Sequence, residues 1–103
     1  MDLAKNLQLP GKTAVITGAS KGIGAAIAEA LGRAGARVVV SSRKQEAVDA
    51  LAERFRQDGI DATAVAANVG KPEDLEQLVQ HSLDTYDGID ILVNNAAANP
   101  VFG

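Results

Sequence analysis

A chain of 103 residues, 47% apolar and 22% charged, has the composition of one soluble globular domain with a real core. Its 10 basic and 13 acidic residues leave a formal net charge of −3, and it has no cysteine. This excludes a cationic footprint for nucleic acid or an anionic membrane, and also disulfides, thiolate catalysis and cysteine-based metal sites. No apolar run approaches the ~18 residues of a membrane span, and residues 1–6 lack the apolar stretch of a signal peptide, so a cytoplasmic location is expected.

Short β-rich runs alternate with amphipathic stretches along the chain. Lys12 to Thr17 reads as the first strand. Ile23, Ala26, Ile27, Ala30, Leu31 and Ala34 then recur at three- and four-residue spacing, with Gly35 where a helix-terminating glycine belongs. Arg37 to Ser41 is the second strand, and Val48, Leu51, Ala52 and Phe55 mark a second helix ending before Gly59. Ala62 to Ala67 is a weaker third strand. A third helix carries the stripe Leu75, Leu78, Val79, Leu83 and Tyr86; Pro72 stands near its start, and Glu73 and Asp74 lie where the helix dipole favours acids. Ile89 to Asn94 is the fourth strand. The order β-α-β-α-β-α-β with right-handed crossovers predicts an α/β fold, a parallel sheet of strand order 3-2-1-4 between helical layers, which is half of a doubly wound domain.

Thr17 to Gly24 lies between the first strand and the first helix, where a glycine-rich loop has a mechanism. Glycines allow the tight turn and the close backbone approach, and the helix N-terminus offers unpaired N–H groups to a pyrophosphate. Gly18, Ser20, Lys21, Gly22, Ile23 and Gly24 are therefore candidate cofactor-binding residues. A Walker A loop does not fit, because Ile23 follows the four residues after Gly18 where a P-loop requires glycine.

The pattern Thr-Gly-x-x-x-Gly-x-Gly over Thr17 to Gly24 resembles the fingerprint of the short-chain dehydrogenases/reductases. Asn94-Asn95-Ala96-Ala97 is similar to their Asn-Asn-Ala-Gly motif, and Asn68-Val69 stands where that family usually has Asp-Val beside the adenine ring. The resemblance covers essentially the whole chain and implies a Rossmann fold, with residues 1–103 as one dinucleotide-binding unit. Ser41 to Lys44 and the run from Asn94 to Gly103 look most like the carbonyl-reductase members. There are two departures. Asn68 replaces the usual aspartate with an amide still able to hydrogen-bond adenine but without the charge, and Ala97 replaces the last glycine. Asn68, Val69, Asn94 and Ala96 join the candidate cofactor-binding residues on this resemblance.

At the end of the second strand an acidic side chain would bond a ribose 2′-OH and repel a 2′-phosphate. Ser42 is neutral there and Arg43 follows, offering paired donors to phosphate, with Lys21 as a second positive charge. These residues favour NADP(H) over NAD(H).

The resemblance further implies hydride transfer between a nicotinamide and a carbonyl or alcohol substrate, with proton chemistry carried by a serine and a Tyr-x-x-x-Lys pair beyond the Asn-Asn-Ala-Gly motif. The 103 residues contain no such pair: Tyr86, the only tyrosine, is followed four positions later by Asp90 and continues an apolar stripe, so it reads as a packing residue. His81, among Gln77, Gln80 and Asp84, reads as a solvated surface residue, and Asp87 and Asp90 as loop charges. No catalytic residue and no metal site are assigned. The readings left open are the binding part of a longer enzyme, a half-domain made for folding or reassembly, and a stand-alone nucleotide-binding module. The expected partners are a small-molecule substrate of the intact enzyme, and a second copy or a complementary C-terminal half against the open edge of the fourth strand.

Overall fold

The computed structural model describes residues 8–95. Four strands, β1 (Thr13–Thr17), β2 (Arg37–Ser42), β3 (Ala62–Ala66) and β4 (Ile91–Asn94), alternate with three helices, α1 (Gly22–Arg33), α2 (Gln45–Gln57) and α3 (Pro72–Tyr86). The sheet is parallel with the predicted order β3-β2-β1-β4. Alternate residues of β1 and β2 divide between two cores. Ala14, Ile16, Val38 and Val40 pack with Ala28 of α1 and Val48, Leu51, Ala52 and Phe55 of α2. Val15 and Val39 face Leu78 and Tyr86 of α3. Strands buried on both sides need continuous apolar runs, which is what β1 and β2 supply.

Two strands begin later than their apolar runs suggest. Lys12 belongs to the turn before β1, its N–H bonded to the Leu9 carbonyl at 3.0 Å, after Gly11 at φ 78°. At β4, Ile89 precedes the strand, and Asp90 takes over the pairing with Thr13: its N–H donates to the Thr13 carbonyl and its Oδ2 accepts the Thr13 N–H, both at 2.9 Å. Asp90 is thus a structural clamp at the amino end of β4 rather than a loop charge.

The helix faces also need correction. In α1 the buried residues are Gly24, Ala28 and Gly32, whereas Ile23 is 72% exposed and Ile27 and Leu31 are half-buried. The helix lies so close to its neighbours that only small residues fit: a Cβ on Gly24 would run into the Gly18 carbonyl oxygen, and one on Gly32 would come within 2.6 Å of Ile60 Cγ2. In α3 the stripe splits. Leu78, Ser82 and Tyr86 face the sheet, while Leu75, Val79 and Leu83 remain 39–44% exposed. Only α2 buries its apolar stripe as its spacing predicts.

His81 is not simply solvated: it is half-buried, and its Nε2 shares a 3.1 Å hydrogen bond with Thr63 Oγ1. Tyr86 is a packing residue. Its hydroxyl donates to Asp61 Oδ1 at 2.7 Å, and the Arg37 guanidinium lies 5.0 Å over its ring. Burial, reinforced by the Asp61 carboxylate, holds its phenol well above the usual tyrosine value.

Candidate functional site

Because the strands are parallel, the loops after β1, β2 and β3 and the segment after β4 all leave at the carboxyl edge of the sheet, where open α/β folds bind ligands. Tyr86, Asp61 and Arg37 lie at the opposite edge, next to strand starts, and take no part in the site.

The loop after β1 is shaped by two left-handed glycines, Gly18 and Gly22, both at φ 63°. Their conformation is one that residues with a Cβ rarely adopt. Between them Ala19 is buried and its N–H donates to the Ser41 carbonyl at 2.9 Å, which ties the loop to the end of β2. α1 then begins at Gly22 behind Lys21, whose extended backbone provides no side-chain cap, and the first turn holds no acidic residue. The first-turn N–H groups of α1 therefore keep their capacity for an anion, and no carboxylate opposes it. Ser20 is half-buried beside exposed Lys21, and exposed Ile23 stands at the mouth of the loop.

Two residues outside the candidate set hold this loop in place. Thr17 Oγ1 donates to Asn94 Oδ1 at 3.0 Å, joining the ends of β1 and β4. Asn95 Nδ2 donates to the Gly18 carbonyl at 3.1 Å. Both stand inside the quoted motifs, yet their partners are 77 residues away, so only the pairing of β1 with β4 reveals their work. Asn94 is thus engaged in positioning the loop. Ala96, Ala97 and the remainder of residues 96–103 lie outside the described residues.

At the end of β2 the Ser42 hydroxyl accepts the Lys44 N–H at 3.1 Å, starting the turn into α2. Arg43 and Lys44 are exposed, and among the described residues neither they nor Lys21 make an ion pair. Their charges are available to a ligand. A shallow depression bordered by Lys44, Glu46 and Ala47 lies just beyond, at the start of α2.

β3 runs alongside β2 through Ser42 opposite Ala66, and the Ala67 N–H donates to the Ser42 carbonyl at 2.8 Å. Asn68 and Val69 follow, both half-buried. The Asn68 N–H donates to Asp74 Oδ2 at 2.8 Å and its Oδ1 accepts the Gly70 N–H at 2.9 Å. Asp74 therefore does more than complement the α3 dipole: it fixes the loop that presents Asn68.

This arrangement has known counterparts. Residues 12–102 match the family model described as short chain dehydrogenase. Rat dehydrogenase/reductase SDR family member 4 is 48% identical over 98% of this chain, and the match spans 36% of the rat protein's length. The human protein named dehydrogenase/reductase SDR family member 2, mitochondrial, is 45% identical over 92% of the chain and is matched over 34% of its own length. A cytoplasmic location therefore does not follow from kinship. Among solved structures, hydroxysteroid dehydrogenase from Escherichia coli superposes with a TM-score of 0.84 at 37% identity, covering 88% of this chain and 39% of that one. With the glycine loop at the β1–α1 turn, the 3-2-1-4 sheet and these matches together, the chain belongs to the short-chain dehydrogenase family.

Proposed function

We propose that residues 8–95 build the NADP(H)-binding part of an oxidoreductase acting on a carbonyl or alcohol substrate of the carbonyl-reductase kind. The observation that carries the cofactor preference is the end of β2, where neutral Ser42 precedes Arg43, an exposed guanidinium with no ion-pair partner among the described residues. A 2′-phosphate meets no repelling carboxylate there and gains a planar, doubly donating cation. The fit of a dinucleotide rests on the uncapped start of α1 and on Gly24, which leaves no room for a Cβ beside Gly18.

In this reading Gly18, Ser20, Gly22, Ile23 and Gly24 receive the pyrophosphate, and Lys21, Ser42 and Arg43 receive the 2′-phosphate. Asn68 and Val69 border the base and Asn94 flanks the site at the end of β4, while Ala96 is carried into the site by the resemblance of the Asn94-Asn95-Ala96-Ala97 motif alone. The nicotinamide supplies or accepts the hydride when bound. The residues of this chain bind and orient it, and no residue among the 103 is assigned the proton chemistry.

Calorimetric titration with NADP+ and NAD+ tests the reading. NADP+ is expected to bind more tightly, and Arg43→Ala to narrow the gap by about 1–3 kcal/mol, the scale of a charge-assisted hydrogen bond. Equal affinities for the two dinucleotides in the unmutated chain would overturn the preference.

A further inference from the structure

Asp58 and Asp87 each stand in the sequence Asp-Gly-Ile. An aspartate before glycine can cyclise, because a residue without a Cβ leaves its backbone nitrogen unhindered as it attacks the neighbouring carboxyl carbon. Both aspartates are exposed, and each follows the end of a helix, Asp58 that of α2 and Asp87 that of α3. Identical flanking residues give the two sites the same intrinsic reactivity, so any difference between them must come from the fold.

The attacking nitrogen is engaged at one site and free at the other. The Gly59 N–H donates to the Arg56 carbonyl at 3.0 Å, and the Asp58 carboxylate lies 3.6 Å from the Arg33 guanidinium. Neither the Gly88 N–H nor the Asp87 carboxylate has a partner among the described residues. Asp87 is also the one non-glycine residue among them in the left-handed region, at φ 66°, a conformation unfavourable for a residue with a Cβ. Ring closure turns the peptide plane after the aspartate until the glycine nitrogen lies beside Cβ. That turn breaks the Gly59 hydrogen bond after Asp58, whereas after Asp87 the Gly88 N–H has none to break.

We propose that Asp87 is the preferred site of spontaneous isoaspartate formation in the folded chain. The Gly88 nitrogen bonds to Asp87 Cγ, and its hydrogen leaves with a carboxyl hydroxyl as water, closing a succinimide ring. Water then adds to one of the two ring carbonyls. Addition at Cγ restores aspartate; addition at the backbone carbonyl breaks the bond to the Gly88 nitrogen there and leaves the chain running through Cβ and Cγ. The water lost is the water regained, and nothing is oxidised or reduced. The product lengthens a tightly anchored connection, residues 87–89, between Tyr86, held by Asp61 and Arg37, and Asp90, clamped to Thr13.

The experiment ages the full chain at neutral pH and body temperature, in buffer and in urea, and quantifies isoaspartate at each site by peptide mapping with electron-transfer fragmentation. In buffer, isoaspartate is expected to accumulate at position 87 about fivefold faster than at position 58, the factor that one backbone hydrogen bond is worth. In urea the fold no longer separates the sites, and the two rates are expected to agree within about twofold. Gly88→Ala is expected to suppress formation at position 87 and leave position 58 unchanged; the added Cβ meets nothing within 4 Å, and Gly88 is not among the glycines at positive φ. Equal rates at the two sites in buffer, a faster rate at Asp58, or product at position 87 that Gly88→Ala does not reduce would each overturn the proposal.

Discussion

Gly24 and Gly32 sit two helical turns apart on the buried face of α1, and they are small for different reasons. A Cβ at Gly24 would meet the Gly18 carbonyl, a backbone atom held by Asn95 Nδ2 at 3.1 Å. A Cβ at Gly32 would meet the side chain of Ile60 first, so a side chain rather than a backbone carbonyl would have to give way. Alanine is the better helix former by about 1 kcal/mol at both positions, so the difference lies in what must move. Gly24→Ala is expected to destabilise the fold by about 1–3 kcal/mol, the usual cost of overpacking, and to weaken dinucleotide binding by displacing the loop. Gly32→Ala should cost clearly less. Urea denaturation of the two variants checks this, and equal losses would mean that the Gly18 carbonyl can yield as easily as the Ile60 side chain.

The elements were legible in the sequence to different depths. Helix α2 could be read in full because Val48, Leu51, Ala52 and Phe55 all meet the sheet. In α3 the apolar spacing marks a helix, but it does not say which of two adjacent faces turns inward. The choice follows from Tyr86, whose hydroxyl reaches Asp61 and whose carbonyl accepts from Arg37 Nη2 at 3.0 Å. These contacts tie the end of α3 to the starts of β2 and β3. Tyr86→Phe is expected to cost about 1–2 kcal/mol at neutral pH, since the Asp61 end of the bond is exposed to solvent. The phenol value is raised on folding, so the native state holds this proton more tightly than the unfolded chain does. Its contribution is therefore intact below the ordinary tyrosine value of 10.0 and is lost as pH rises beyond it. Denaturation curves at neutral pH and above pH ~10 should show the gap between Tyr86→Phe and the unmutated chain closing at alkaline pH; a gap that stays constant would show that the proton is not coupled to folding.

Across the whole molecule the two cores are unequally covered. The α1–α2 side holds the larger set of buried residues, whereas on the α3 side Leu75, Val79 and Leu83 are partly exposed and Leu92 of β4 is 64% exposed. β4 pairs with β1 and has no second neighbour among the described residues. An apolar strand with one unpaired edge templates pairing with another chain. The 103-residue chain is therefore expected to self-associate with rising concentration, and Leu92→Lys, which places a charge on that edge, to weaken the association. Sedimentation velocity over a range of concentrations tests this, and a concentration-independent monomer would refute it.

The alternation of strands and helices, the glycine loop and the α2 core face were all determined by the sequence alone, because each depends on local spacing: apolar runs too short for a helix, glycines at a strand–helix junction, and a 3.6-residue period. The strand order followed from that alternation only through the right-handedness of the crossovers. Tertiary structure alone decided which face α1 buries, that Asp90 clamps Thr13, and that Asn95 holds Gly18. These depend on how closely elements approach once the sheet forms, and on partners 77 residues apart in the chain. A periodic pattern shows that a helix has an apolar face, but the distance to the neighbouring backbone decides whether large or small residues can occupy the buried one.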